Sequence, residues 1–286
     1  MQIKGIIFLS VAIFFGIVVM ISNQILTQWR QKASLLARLE KVVPVGAQSR
    51  ISCAEVAAKR PLVLLALGQS NAANHGPPPD LVEKSVILVA EGKCLETVAP
   101  LPGGTGEGDS IWPRLPELLS AQLDGRPVVL SVLAIDATTI GDWTSHDSPL
   151  RARLASHLSS LKDLNLAPSL VLWQHGEADA HIGTTSTAYE AGLMQLLTLL
   201  DVFGIHAPVL LARSTICRSS PSERIRQAID SAVANDPRFR VGPDTDSLSG
   251  DAFRDGCHFT AKGLDSAAKM WALAIAPQIN TKEFIR

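Results

Sequence analysis

An α/β protein with a mainly parallel sheet between two layers of helices is the fold this sequence predicts, and three observations predict it. From Pro61 onward, short apolar runs alternate with longer segments of helical period, the pattern of consecutive βαβ units. Several of those runs are apolar on both faces, as strands covered by helices on each side must be. Polar residues and glycines stand directly after the runs, at the carboxyl ends of strands where open α/β sheets bind ligands. The expectation is a three-layer α/β/α sandwich with a flavodoxin-like sheet of about five strands, forming one domain over residues 61–286. A separate N-terminal membrane helix precedes it.

The membrane helix comes first. No residue between Lys4 and Arg30 is charged, and Ile6–Ile21 is almost wholly apolar, which suits a span of roughly 20 residues. A cleaved signal peptide is the alternative, but no small-residue cleavage site follows closely. Residues 1–29 are therefore expected as an uncleaved anchor and 30–60 as a connecting segment, in which Ser34–Val43 reads as amphipathic helix. Strands are expected at Leu62–Leu67, Val86–Ala90, Val128–Leu133, Leu170–Trp173, Val209–Ala212 and Phe239–Val241. Helices are expected at Trp112–Gln122, Leu150–Leu164, Thr187–Phe203, Ser222–Asn235 and Ala261–Ala276. His75–Pro79 and Pro100–Gly108 concentrate Gly and Pro and read as surface loops. Trp112 and Trp143 fall near the expected rim of a site, although burial in the core is the commoner fate of Trp.

Charge and cysteines bound the partners. The formal net charge is −1 with both signs interspersed, which excludes the basic footprint that nucleic acid demands. Arg30, Lys32, Arg38 and Lys41 follow the apolar span, and the positive-inside tendency alone would keep the bulk of the chain cytoplasmic. Four cysteines beyond the span, Cys53, Cys94, Cys217 and Cys257, argue for export to an oxidising compartment. Their spacing excludes a C-x-x-C zinc site. Position along the chain pairs Cys217 with Cys257 and Cys53 with Cys94, one of three possible connectivities.

Four places carry candidate chemistry. Gly68-Gln69-Ser70-Asn71 follows an apolar run, so a strand delivers Ser70 onto a tight turn; a serine is a nucleophile only where a base reaches it. Asp255-Gly256-Cys257-His258 lies near the other end, with spacing that lets a carboxylate orient an imidazole. Gln174-His175-Gly176-Glu177-Ala178-Asp179 follows Leu170–Trp173 and offers donors for an oxyanion. Glu177 and Asp179 are better read as a buried network holding loops, because an anion beside an oxyanion opposes catalysis. Finally, Asp136-Ala137-Thr138 ends another run and offers backbone N–H groups. Gly108-Asp109-Ser110-Ile111 is a decoy: it follows a glycine-rich loop instead of a strand, and Ser110 reads as an N-cap.

Taken together and in this order, these segments resemble the SGNH hydrolase superfamily, and within it the sialate O-acetylesterase-like branch of carbohydrate acetylesterases, over roughly Pro61 to Ala276. The resemblance implies a Ser-His-Asp esterase with Ser70 as nucleophile, His258 as base and Asp255 as acid. It also implies oxyanion donors from the N–H groups of Ser70 and Ala137 and from a side chain. The middle motif departs from the branch's usual Gly-Gly-Thr, since Asp136 and Ala137 replace the glycines. In the later block His175 occupies the place of the usual Gln, with Gln174 one residue earlier, so both remain candidates. Acyl transfer through a covalent intermediate needs no metal or organic cofactor. The implied partners are a small-molecule or glycan ester and, through the anchor, a membrane; oligomeric state is not legible. An O-acetyltransferase would share the acyl-enzyme, and a catalytically silent glycan-binding or envelope-assembly protein would share the fold.

Overall fold

The computed structural model describes residues 20, 22–23, 25–46, 48–79 and 85–279. All but the last two residues of the apolar segment Ile6–Ile21 precede them, and so does most of the expected anchor; no helix among the described residues is long and apolar enough to cross a membrane. Among the described residues, helix α1 (residues 25–39), strand β1 (Ser49–Ile51) and helix α2 (Cys53–Ala58) come before the main sheet. Segment 30–60 does more than connect: Leu35 and Val42 enter the core, and β1 extends the sheet.

All six expected strands form: β2 (Leu62–Gly68), β3 (Val86–Ala90), β5 (Val128–Ala134), β6 (Leu170–Gln174), β7 (Val209–Arg213) and β8 (Phe239–Asp244). They run parallel in the order β3-β5-β2-β6-β7-β8. Two antiparallel additions at one edge, β4 (Lys93–Thr97) and then β1, make eight strands instead of about five. The strand order is also not flavodoxin-like, since β5 separates β3 from β2. The added strand β4 has its reason in a turn: Glu91 and Gly92 both take positive φ, 49° and 69°, the primed geometry that folds a strand straight back on itself. This commits β3 to a hairpin with β4 at the sheet's edge.

Alternate residues of β2 point to opposite faces, as strand geometry requires. Val63, Leu65 and Leu67 pack with helices α5 (Pro149–Asp163), α7 (Ser186–Val202) and α8 (Glu223–Asn235). Leu62, Leu64 and Ala66 pack with the short helix α3 (Leu115–Leu119) and with α9 (Ala261–Ile279). The three-layer sandwich is therefore present. Helix α5 shows how the local sequence builds a layer. Ser148 caps it by accepting from Leu150 N, Pro149 fits its first turn, and Leu150, Leu154, Leu158 and Leu161 share the buried stripe.

Trp112 to Gln122 is not one helix: 3-10 turns flank the single α-turn of α3. Two further short helices, α4 (Ile140–Thr144) and α6 (Glu177–Ile182), follow β5 and β6. Gly192 lets α4 and α7 touch, because a Cβ there would lie 2.3 Å from Ile140 Cγ1. Pro100–Gly108 is not a surface loop. Leu101, Gly104 and Thr105 are buried, and Gly104 bridges to Ala134 beside the end of β5. Trp112 and Trp143 are both fully buried, away from any rim, the commoner fate of large aromatic side chains.

Candidate active site

Strand β2 ends at Gly68, and the exit from it is narrow. Gly68 has φ +152°, and a Cβ there would stand 2.1 Å from Gln174 O. The chain then closes a single 3-10 turn, Ser70–Ala72, with Ala72 N donating to Gln69 O and Ala73 N to Ser70 O. The indole N–H of Trp112 donates to Ala72 O at 2.6 Å and fixes the turn from the α9 side. Ser70 is thereby held at the carboxyl end of β2, in the crevice where the connections from β2 and β6 leave in opposite directions.

A cavity of about 410 Å³ opens there, and its wall includes Ser70, His75, Asp136, Ala137, Glu177 and His258. The ends of β2, β5 and β6 thus meet the C-terminal hairpin in one place. Ala137 takes φ +51°, the left-handed conformation that a glycine would take more readily. The N–H groups of Ser70 and Ala137 donate to no acceptor among the described residues. Both are available to a ligand.

His258 sits in β10 (His258–Phe259), paired with β9 (Arg254–Asp255) immediately before α9. Burial lowers its pKa from the ordinary histidine value. His75, Arg254 and Arg218 lower it further, and Asp136 opposes them. Both effects favour the neutral imidazole, the form a general base requires. His75 lies with its ring centroid 5.0 Å from that of His258, and its Nε2 hydrogen-bonds Thr105 Oγ1. Burial lowers the His75 pKa as well, against the pull of Asp136. Thr105 Oγ1 also accepts from Asp136 N at 3.0 Å.

The expected site residues do not all converge. Ser70, Ala137 and His258 share the cavity wall. Asp255 stands opposite His258 in the hairpin register, but it is exposed, and no hydrogen bond or ion pair joins its carboxylate to His258 among the described residues. Neither Gln174 nor His175 lines the cavity. The Gln174 amide donates to Ser214 and Thr245 hydroxyls and accepts from Trp271 Nε1, so its hydrogen-bonding groups are spent in the α9 layer. His175 points to the other face, against Trp173 and the Tyr189 hydroxyl, where burial pushes its pKa down to about 3. Strand periodicity sends consecutive residues to opposite layers and neither of them upward. Ser110 is buried, caps no helix through its side chain, and is absent from the cavity wall.

Glu177 and Asp179 hold loops. Glu177 Oε1 accepts from Asn71 Nδ2 and Ser214 Oγ, while Asn71 Nδ2 also donates to Cys257 O, tying the Ser70 turn to the C-terminal hairpin. Asp179 accepts from Ile140 N at the start of α4 and from Thr184 Oγ1. Both disulfides form with the expected pairing: Cys53–Cys94 joins α2 to β4, and Cys217–Cys257 fastens the His258 hairpin to the loop after β7. His75 and Asp136 were not recognised from sequence as site residues. Their signals were a histidine five residues after the serine and a charged residue in place of a glycine.

No family model and no curated protein matches the chain. Among solved structures, a protein from Arabidopsis thaliana superposes with a TM-score of 0.61 at 18% identity, over 75% of this chain and 97% of its own. NanS superposes at 0.50 and 14% identity, over 78% and 98%. A carbohydrate esterase family 3 protein from Talaromyces cellulolyticus gives 0.49 and 14%, over 76% and 96%. At such identities the likeness establishes the fold alone. The chain shares the fold of the Arabidopsis protein and of NanS.

Proposed function

We propose that this protein is a serine esterase that removes O-acetyl groups from carbohydrate or related envelope substrates. One observation carries the reading: Ser70, on a rigid turn at a strand end, shares a single cavity with His258 and with two undonated N–H groups, those of Ser70 and Ala137. In the reaction, Ser70 Oγ attacks the ester carbonyl carbon while His258 takes its proton. The carbonyl oxygen gains charge and accepts from the two N–H groups. Collapse of the tetrahedral species expels the alcohol, which receives the proton from His258. Water then attacks the acyl-enzyme by the same route and releases acetate.

The reading extends to location. The apolar segment Ile6–Ile21 would tether the enzyme to a membrane, and two disulfides favour the exported face. The test is hydrolysis of p-nitrophenyl acetate and then of O-acetylated glycans by the full chain in detergent, wild type against Ser70→Ala. Turnover lost on the substitution supports the esterase. A folded, oxidised wild type without turnover on any ester contradicts it.

A further inference from the structure

We infer that His75 donates a hydrogen bond from Nδ1 to an oxygen on the alcohol portion of the ester, which makes the preferred substrate an ester of a polyol. This deepens the esterase reading and rests on it. The place of the proton follows from Thr105, which is 1% exposed. Its Oγ1 accepts the N–H of Asp136 at 3.0 Å and lies 3.2 Å from His75 Nε2, and no other group pairs with that hydroxyl among the described residues. A hydroxyl has one hydrogen to give, and the Asp136 N–H cannot take it. Were Nε2 to donate as well, Thr105 would keep an unpaired hydrogen in the interior, which native structures avoid. The hydroxyl therefore donates to Nε2, and the neutral His75 ring carries its own proton on Nδ1.

The ring is turned so that this proton meets the cavity. Cδ2 lies 3.0 Å from where a Cβ on Gly106 would stand, so the Cδ2–Nε2 edge faces Thr105 and Gly106. Nδ1 is the ring atom opposite that edge. It has no hydrogen-bond partner among the described residues, and His75 lines the cavity that holds Ser70. The position of the ring decides which part of a substrate Nδ1 meets. His75 packs on His258 with ring centroids 5.0 Å apart, and His258 is the group that hands its proton to the departing alcohol. A donor packed on the base stands beside the alcohol and not the acyl group. An alcohol with a hydroxyl or ether oxygen next to the ester pairs with this donor, whereas one with only hydrocarbon there displaces water and leaves it unpaired, a mismatch that enzymes discriminate strongly. The Gln174 amide, spent on Ser214, Thr245 and Trp271, cannot serve instead.

Two measurements on the full chain in detergent test this. Heteronuclear NMR of the imidazole nitrogens is expected to find the proton of neutral His75 on Nδ1, with Nε2 unprotonated. Hydrolysis is then compared for cyclohexyl acetate and for the same ester with a methoxy group on the neighbouring ring carbon, which adds one acceptor oxygen. His75→Phe keeps a flat ring against His258 but has no donor. It is expected to lower the ratio of kcat/KM for the methoxy ester to that for the plain ester by about tenfold. A merely structural role would slow both esters alike and leave the ratio where it is. A proton on Nε2, or a ratio untouched by His75→Phe, overturns the inference, while wild-type turnover and its loss in Ser70→Ala leave the esterase standing. A wild type without turnover on any ester overturns the esterase reading and this inference with it.

Discussion

The rings of His75 and His258 lie 5.0 Å apart with their planes tilted by 33°, so the loop after Ser70 and a hairpin almost two hundred residues further on close over one cavity. Two imidazoles this close resist becoming charged together. His75→Gln removes one of the positive influences on His258 and should raise its pKa, moving the acid limb of kcat/KM toward higher pH. A pH–rate profile beside the wild type checks the direction. A limb that moves to lower pH would mean that His75 supports the imidazolium instead of opposing it.

Gly68→Ala should be among the most damaging small substitutions in the protein. The added Cβ would meet Gln174 O at 2.1 Å, and both partners are backbone in central strands that cannot move independently. A loss of several kcal/mol is expected, since strain and overpacking coincide. Urea unfolding measures it, and a midpoint within experimental scatter of the wild type would show that the strand exit is looser than described.

How far the sequence was legible follows from particular residues. The six parallel strands were readable because runs such as Leu62–Leu67 are apolar on both faces and nothing else buries so evenly. The hairpin β3–β4 was not, because its turn uses Glu91-Gly92 and not the Asn-Gly or Asp-Gly pair that signals such a turn. Ser70 and His258, which share the cavity wall, stood out in the sequence through their neighbours. Gln174 and His175 misled because their roles depend on which face each takes at the end of β6, and one residue of register exchanges the two. Asp136 did not stand out because the cavity it lines is built by distant segments together.

Glu177 predicts how stability varies with pH. Burial pushes its carboxyl up to about 7, against hydrogen bonds from Asn71 and Ser214 and the charge of Arg254. The folded chain therefore holds this proton up to about pH 7, while an unfolded chain releases it near 4.5. Between those values the folded state binds more protons, so this group's contribution to stability falls as pH rises. Glu177→Gln should remove that fall, leaving the variant more stable than wild type at pH 8 by on the order of 2 to 3 kcal/mol at most. Melting temperatures at pH 5 and pH 8 test it; an unchanged difference between the two would show that Glu177 stays ionised.

The Cys217–Cys257 bridge closes a loop with a sequence separation of 40, for which chain entropy gives about 4 kcal/mol of stabilisation. It also fastens the hairpin that carries His258. Cys217→Ala with Cys257→Ala should therefore lower the melting temperature. At a temperature where the variant is still folded, it should lower kcat more than it raises KM. Equal activity in the folded variant would show that the Asn71 hydrogen bond to Cys257 O is enough to hold the hairpin.

The most direct test of the central claim is to trap the acyl-enzyme or its phosphonyl analogue and find the residue that carries it. The full chain is treated with a fluorophosphonate, digested and mapped by mass spectrometry, with His258→Ala alongside. A single adduct on the peptide bearing Ser70, slowed strongly in the His258 variant, is the predicted result. An adduct on Ser110 or another serine, or labelling of Ser70 that is indifferent to His258, would contradict it.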